Sequence, residues 1–345
     1  MTNRWLFLFC FLLIGASAQA QTFYQGKTIT IVVGTKTGDA YDLYPRMLAE
    51  FMPKYIPGNP NIIIQNMPGA GSLRGANYIY NVAARDGTVF GTFARNIALI
   101  GQLKTNQNVQ YDPQKFTWLG SSSSLANDAY ILLVRRDAKV KSIEDARRTD
   151  GPPIILGSTA EGASSDAMGV LLREWLGFNL KVIPGYTDSG VLFLAIERNE
   201  VEGRTVGLSS VRANKPDWLK PNGLGRVMVV FGRSTRFPDY PDVPMARELA
   251  KSPDDRNLIE ILEIPYALSR PYAAPPDVPA DRAKALQDAF MATHKDPAYL
   301  AEAQKVGIEV SPISGDDIRR LIDKIAKTPA DQLKRIEKLI AEGGG

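Results

Sequence analysis

Residues 27–33, KTITIVV, alternate as a β-branched strand, and Leu43, Met47, Leu48, Phe51, Met52 and Tyr55 then recur on one helical face. Pro45 is best tolerated in a first turn, so the helix is expected to start near Asp42, a natural N-cap. NIIIQN (61–66) reads as a second strand, MPGAGS as a loop, LRGANYIYNVAA as a helix and TVFGTFA (88–94) as a third strand. This β-α-β-α-β order predicts a parallel, doubly wound sheet. The theme returns: strands at 130–136, 153–158, LKVIPGY and 225–232, with a short helix SIEDARR. A second amphipathic helix carries Met168, Leu171, Leu172 and Trp175 and is stopped by Gly177. VLFLAIERNEVEG reads as a further helix that runs into RTVGLSS, and SSSSLAND (121–128) as a loop leading into a domain crossing. The tail is helical, with Asp296–Pro297 and Thr328–Pro329 as start signals and Gly307 as a stop.

Two polar turns, 34–42 (GTKTGDAYD) and 157–166 (GSTAEGASSD), each end a strand and open an amphipathic helix. Such turns present unsatisfied N–H groups and a partial positive charge. With one turn in each of two domains facing a common cleft, a carboxylate held between them is the simplest ligand.

The N-terminus adds a location. Arg4, an apolar run over 5–14 and Ala18-Gln19-Ala20 have the layout of a secretory signal peptide, with Gln21 as the expected mature N-terminus. The run is shorter than the roughly 20 apolar residues of a membrane span. Cys10, the single cysteine, lies within it, so the mature chain has neither a disulfide nor a cysteine ligand for a metal. The formal net charge is +4, with Lys and Arg scattered among acids, which argues for a solvated surface over a nucleic-acid interface.

Several stretches taken in order carry a resemblance to a family. YQGKTITIVVGTKTGDAYD (24–42), QNMPGAGS (65–72), RDGTVFG (85–91), GSTAEGASSD (157–166), ERNEVEG (197–203), FPDYPDVP (237–244) and RPYAAPPDVPADR (270–282) resemble the periplasmic solute receptors of the tripartite tricarboxylate transporters, the TctC or Bug family. The resemblance implies a two-lobe periplasmic binding protein of type II. Each lobe is a doubly wound α/β sheet flanked by helices, with a cleft between the lobes. It divides the chain into a signal peptide (1–20), lobe 1 (21–132 with 266–345, the tail helices on lobe 1) and lobe 2 (133–265). A small organic acid is the implied ligand, the permease subunits of a tripartite transporter the implied partners, and the protein a monomer with no cofactor. Where the family has Pro-Gly-Gly-Gly, this chain has Thr37-Gly38-Asp39-Ala40, and it adds Lys36, Glu161 and Asp166; these acids disfavour a purely anionic ligand unless Lys36, Arg95 or Arg212 offsets them.

Candidate donors in lobe 1 are Thr35, Lys36, Thr37 and Gly38, with Asp39, Tyr41, Asp42, Arg95 and Asn96 beside them. In lobe 2 they are Ser158, Thr159, Ser164, Ser165 and Asp166, with Tyr186, Thr187, Ser189, Ser209, Ser210 and Arg212 after later strands. Tyr41 and Tyr186 either flank an apolar ligand body or pack. Catalysis has less to stand on. His294 reads as a solvated residue at a helix end, PGAGSLRG lacks the Gly-Lys-Ser/Thr of a phosphate loop, and the serines lack a Gly-x-Ser-x-Gly context. Asp39, Asp42, Glu161 and Asp166 leave open a periplasmic hydrolase or isomerase, against helix capping for Asp42 and Asp166. A sensor for a membrane kinase is a third reading that the sequence does not separate from transport.

Overall fold

The computed structural model describes residues 23–38, 40–103, 108–158, 164–186 and 189–342. Along these the strands are β1 Thr28–Val33, β2 Asn61–Asn66, β3 Val89–Thr92, β4 Thr117–Ser121, β5 Tyr130–Arg135, β6 Ile154–Gly157, β7 Leu180–Ile183, β8 Gly203–Gly207, β9 Gly225–Phe231, β10 Pro271–Ala274 and β11 Ile313–Ser314.

Internal contacts divide the chain into two units, 1–124 with 268–327, and 125–267 with 328–345. The first unit holds a six-stranded sheet in the order β11-β4-β10-β3-β1-β2. Strands β2, β1 and β3 run parallel, as the β-α-β-α-β pattern predicts. The remainder is antiparallel: β10 pairs with both β3 and β4, and β11 with β4. The antiparallel part comes from the return segment, which inserts as a central strand. Ile29, Ile31, Val33, Phe90 and Tyr272 from the sheet pack with Leu48 and Phe290 from flanking helices.

The second unit is a five-stranded sheet, β7-β6-β8-β5-β9. Here β6 is parallel to β7 and β8, and β5 is antiparallel to β8 and β9. Ile131, Leu133, Phe193, Val206, Trp218 and Val230 form its core. Helix Ala330–Glu342 belongs to this unit rather than to the first, where the tail helices were expected. It packs on helices Ser164–Glu174 and Pro253–Ala267, and Arg335 pairs with Asp255 at 2.6 Å. The apolar face of Ala330–Glu342 shows that a helix needs a cover but not which unit supplies it.

Helix Ala40–Phe51 begins two residues before Asp42 and carries Pro45 in its interior. Asp42 is thus a first-turn residue and not the N-cap. His294 also differs from expectation. It is 3% exposed, its Nδ1 lies 2.7 Å from the Phe290 carbonyl, and its Nε2 lies 2.8 Å from Ser122 Oγ. The next helix, Pro297–Lys305, lays Tyr299 against the ring and covers it. Burial drives the imidazole pKa down to about 4, against a smaller upward pull from the Phe290 carbonyl. The carbonyl can only accept, so Nδ1 carries the hydrogen and Nε2 accepts from the serine hydroxyl. Ser122 is fully buried, so this pair is part of the core.

Candidate functional site

The C-terminal edge of β1 and β3 gathers the first unit's polar groups. The residues that follow β1 are braced from the next two crossovers. Ser72, held at φ 76°, donates from Oγ to the Gly34 carbonyl at 3.1 Å and accepts from the Ala94 N–H at 3.1 Å. A Cβ on Gly34 would lie 2.7 Å from Ser72 Oγ, so only glycine fits there. Asn66, at the end of β2, donates to the Thr35 carbonyl at 3.0 Å and to Asp42 Oδ1 at 2.8 Å, and accepts from the Thr37 hydroxyl at 3.1 Å. Gly38, at φ 82°, donates its N–H to Asp42 Oδ2 at 2.8 Å.

Asp42 is itself occupied. Arg46, one turn on, reaches both of its oxygens at 2.7 and 3.1 Å. Burial raises the Asp42 pKa, but the hydrogen bonds from Arg46, Asn66 and the Gly38 N–H, with the charge of Arg46, outweigh it and hold the carboxyl below its ordinary range. Asp42 is thus a fixed, compensated anion that shapes the turn, not a free acid. Lys36 is exposed and makes no hydrogen bond or ion pair among the described residues.

The positive groups lie beside this brace. Tyr41 Oη accepts from the Arg95 backbone N–H and from Arg95 Nε, each at 3.2 Å. The Arg270 guanidinium stacks on the Tyr41 ring at 4.1 Å and on Tyr44 at 4.9 Å. Burial alone would raise the Tyr41 phenol; the charges of Arg95 and Arg270 and the two Arg95 hydrogen bonds bring it below its usual value. Arg270 donates from Nη1 to Ser269 O and Oγ at 2.7 and 3.3 Å, its buried Nε has no acceptor, and no carboxylate pairs with it among the described residues. Thr35 Oγ1, Thr92 Oγ1 and Asn96 Oδ1 are also buried without a hydrogen-bond partner. Val33 pairs with Thr92, and Thr92 with Tyr272, so these atoms and Arg270 share one edge of the sheet.

In the second unit the end of β6 leads to Ser158, whose Oγ lies 2.8 Å from Ser165 Oγ; Thr205 of β8 donates to the Ser165 carbonyl at 2.8 Å. Ser164 and Asp166 lie in the first turn of helix Ser164–Glu174, and Asp166 is buried. Asp166 is therefore, like Asp42, inside its helix and not the N-cap. Tyr186 packs against the core beside Gly157, where a Cβ would lie 3.2 Å from its ring. The backbone N–H of Ser209 donates to Asp128 Oδ1 at 3.0 Å. Arg212 is paired with Asp239 and lies over Phe237, so it does not offset other acids. Asp39, Thr159, Glu161, Thr187 and the 1–20 segment fall outside the described residues. Sequence reasoning missed Arg270, Asn66, Arg46 and Ser72. Arg270 had a signal: it is the first residue of the return segment RPYAAPP, whose strand runs back beside β3. Among the described residues no group of three His, Cys, Asp or Glu could hold a metal ion, and no helix is long and apolar enough to cross a membrane.

The fold is found in known proteins. A TctC solute binding protein from Polaromonas superposes with a TM-score of 0.68 at 18% identity, over 92% of this chain and 99% of that one. MatC of Rhodopseudomonas palustris, solved with bound malate, gives 0.57 at 20% identity over 91% and 99%. Rpa4515 of R. palustris, solved with adipate, gives 0.60 at 19% identity over 91% and 97%. In sequence, a UPF0065 protein from the TAR-I ttuE-ttuC' intergenic region of Agrobacterium vitis is 26% identical over 335 residues, 95% of this chain and 87% of that protein. The model of the tripartite tricarboxylate transporter family receptor, TctC, matches residues 45–344, and the chain belongs to that family of solute-binding receptors.

Proposed function

We propose that this receptor works in the periplasm, binds a small carboxylate through the Tyr41–Arg95–Arg270 group, and hands it to the membrane subunits of a tripartite transporter. The observation that carries the reading is Arg270. It stacks on two tyrosines, has a buried Nε without an acceptor and lacks a carboxylate partner among the described residues. A cation so placed is completed by an anion from outside the chain. Asp42, the acid of this turn among the described residues, is no competitor, because Arg46 and Asn66 already hold it. The same engagement removes Asp42 from the acid–base role that an enzyme would need, so binding is favoured over turnover. Bound malate and adipate in two proteins of this fold agree with a carboxylate ligand. The signal-like pattern of residues 1–20 supports export.

A thermal-shift screen of mono-, di- and tricarboxylates on the ligand-stripped protein tests it. A ligand at 100 times its Kd adds about 2.7 kcal/mol to the native state, enough to move Tm by several degrees. Arg270→Met should weaken binding of the best acid by about 1–3 kcal/mol. A panel in which no carboxylate raises Tm, or an Arg270→Met protein with the parent's affinity, refutes the reading.

A further inference from the structure

One polar atom at the edge of the first unit's sheet has the wrong chemistry for a carboxylate. Asn96 directly precedes helix Ile97–Leu103, where an asparagine ordinarily spends its side-chain oxygen on a first-turn N–H. Here Oδ1 is buried and has no hydrogen-bond partner among the described residues. A side-chain amide oxygen only accepts, so what it lacks is a donor. The segment that carries it is pinned in place. The Ala94 N–H donates to Ser72 Oγ and the Arg95 N–H to Tyr41 Oη, and the Arg270 guanidinium stacks on the Tyr41 ring.

The other unsatisfied atoms of this edge ask for the opposite. Thr92 is 1% exposed and lies on β3 opposite Val33 of β1 and Tyr272 of β10. Arg270, two residues before Tyr272, still continues the ladder, since its carbonyl accepts from the Ser122 N–H; it therefore falls on the Thr92 face. Thr35 follows at the end of β1. Thr35 Oγ1, Thr92 Oγ1 and Arg270 Nε are buried without partners as well, and each of them can donate. A carboxylate, which only accepts, answers these three and leaves Asn96 Oδ1 unpaired. One ligand satisfies the whole set only if it carries a donor beside its carboxylate. An ammonium is such a donor, but the Arg95 and Arg270 guanidiniums, both in contact with Tyr41, repel it. A hydroxyl donates without a charge.

We infer that the receptor selects a hydroxylated carboxylic acid and that Asn96 reads the hydroxyl, accepting from it through Oδ1 while Arg270 and the two threonines hold the adjoining carboxylate. This rests on the receptor reading above and narrows it from a carboxylate to a hydroxy acid. It also accounts for an asparagine that stands before a helix without capping it: the oxygen is kept for the ligand, and an acid without the hydroxyl leaves a buried acceptor unpaired.

The test titrates the ligand-stripped parent, Asn96→Leu, Thr92→Val and Arg270→Met proteins by calorimetry with acids matched in pairs. Succinate is set against each enantiomer of malate, tricarballylate against citrate, and aspartate stands for the ammonium. In the pair that binds better, the parent should favour the hydroxy acid by about tenfold or more. Asn96→Leu should bring that ratio to within about twofold, by weakening the hydroxy acid and not the plain one, which a merely structural role would not do. Thr92→Val should weaken both members and keep the ratio. If Asn96→Leu does not fold, Asn96→Ala carries the measurement. A parent ratio within about twofold in both pairs overturns the inference, because the missing donor is then water. A preference for the plain acid or for aspartate overturns it, and so does an Asn96 variant that keeps the parent's ratio or a Thr92→Val protein that loses it. In each of these cases the receptor reading survives as long as a carboxylate binds the parent and Arg270→Met weakens it. If no acid binds the parent, both readings fall.

Discussion

The chain has a single histidine, and its burial converts into a pH dependence that can be worked out in advance. His294 titrates at about 4 in the folded protein against 6.5 for a free imidazole. Between these values the unfolded chain binds a proton that the native one does not, so stability falls as pH falls. The contribution is complete above 6.5 and is lost progressively down to about 4. With 1.36 kcal/mol per unit, the whole shift corresponds to about 3 kcal/mol, of which about 2 kcal/mol goes between roughly pH 7 and pH 5. His294→Gln removes the titration but keeps a neutral polar side chain beside Ser122. Hydrogen exchange of peptides covering 280–305 reads the local opening energy at both pH values. The parent should lose about 2 kcal/mol more than the variant over that interval. Proton NMR of the untagged protein gives one histidine resonance, whose midpoint should lie well below the usual imidazole value. A midpoint above about 6, or equal pH slopes in parent and variant, would refute the argument that burial governs this residue.

Two further outcomes follow from the geometry. Gly38→Val meets no steric obstacle, since nothing lies within 4 Å of a Cβ there, but it forces a β-branched residue to φ 82°. It should cost about 1–2 kcal/mol in chemical denaturation and weaken carboxylate binding, whereas an unchanged affinity would take the 34–42 turn out of the site. Arg247→Met leaves the buried Glu263 carboxyl, already raised by burial, without its partner; denaturation near neutral pH should show a loss of about 3 kcal/mol that shrinks as the carboxyl protonates at lower pH, and a loss independent of pH would contradict this.

Much of the fold was legible because it is local. Alternation in KTITIVV, NIIIQN and GRVMVVF gives β1, β2 and β9 nearly to the residue, and Asp296 caps its helix by accepting from the Ala298 N–H, as Asp-Pro predicts. What was not legible depends on distant partners. SSSSLAND was read as a loop, yet Ser121 ends β4, because the strand is defined by β10 about 150 residues later. The β10 strand PYAA has no alternation at all, since all four residues are buried. At the candidate site the turn, Tyr41 and Arg95 were legible as polar positions next to a strand end. Arg270 was not, because what marks it is a buried Nε without an acceptor among the described residues, a three-dimensional fact. Arg212, named from sequence as a cation that could offset the acids of the turns, is paired with Asp239.

The strand order of the first unit also sets a timetable for folding. Strand β10 lies between β3 and β4, so the sheet begun at residue 28 cannot close until residues 271–274 exist. The last helix of the second unit waits longer, for residues 330–342. As the chain leaves the ribosome neither unit can complete its core, and the pairings that finish each one are among the most distant in sequence, which slows them. For a chain exported before it folds, as proposed above, that delay would keep the polypeptide threadable.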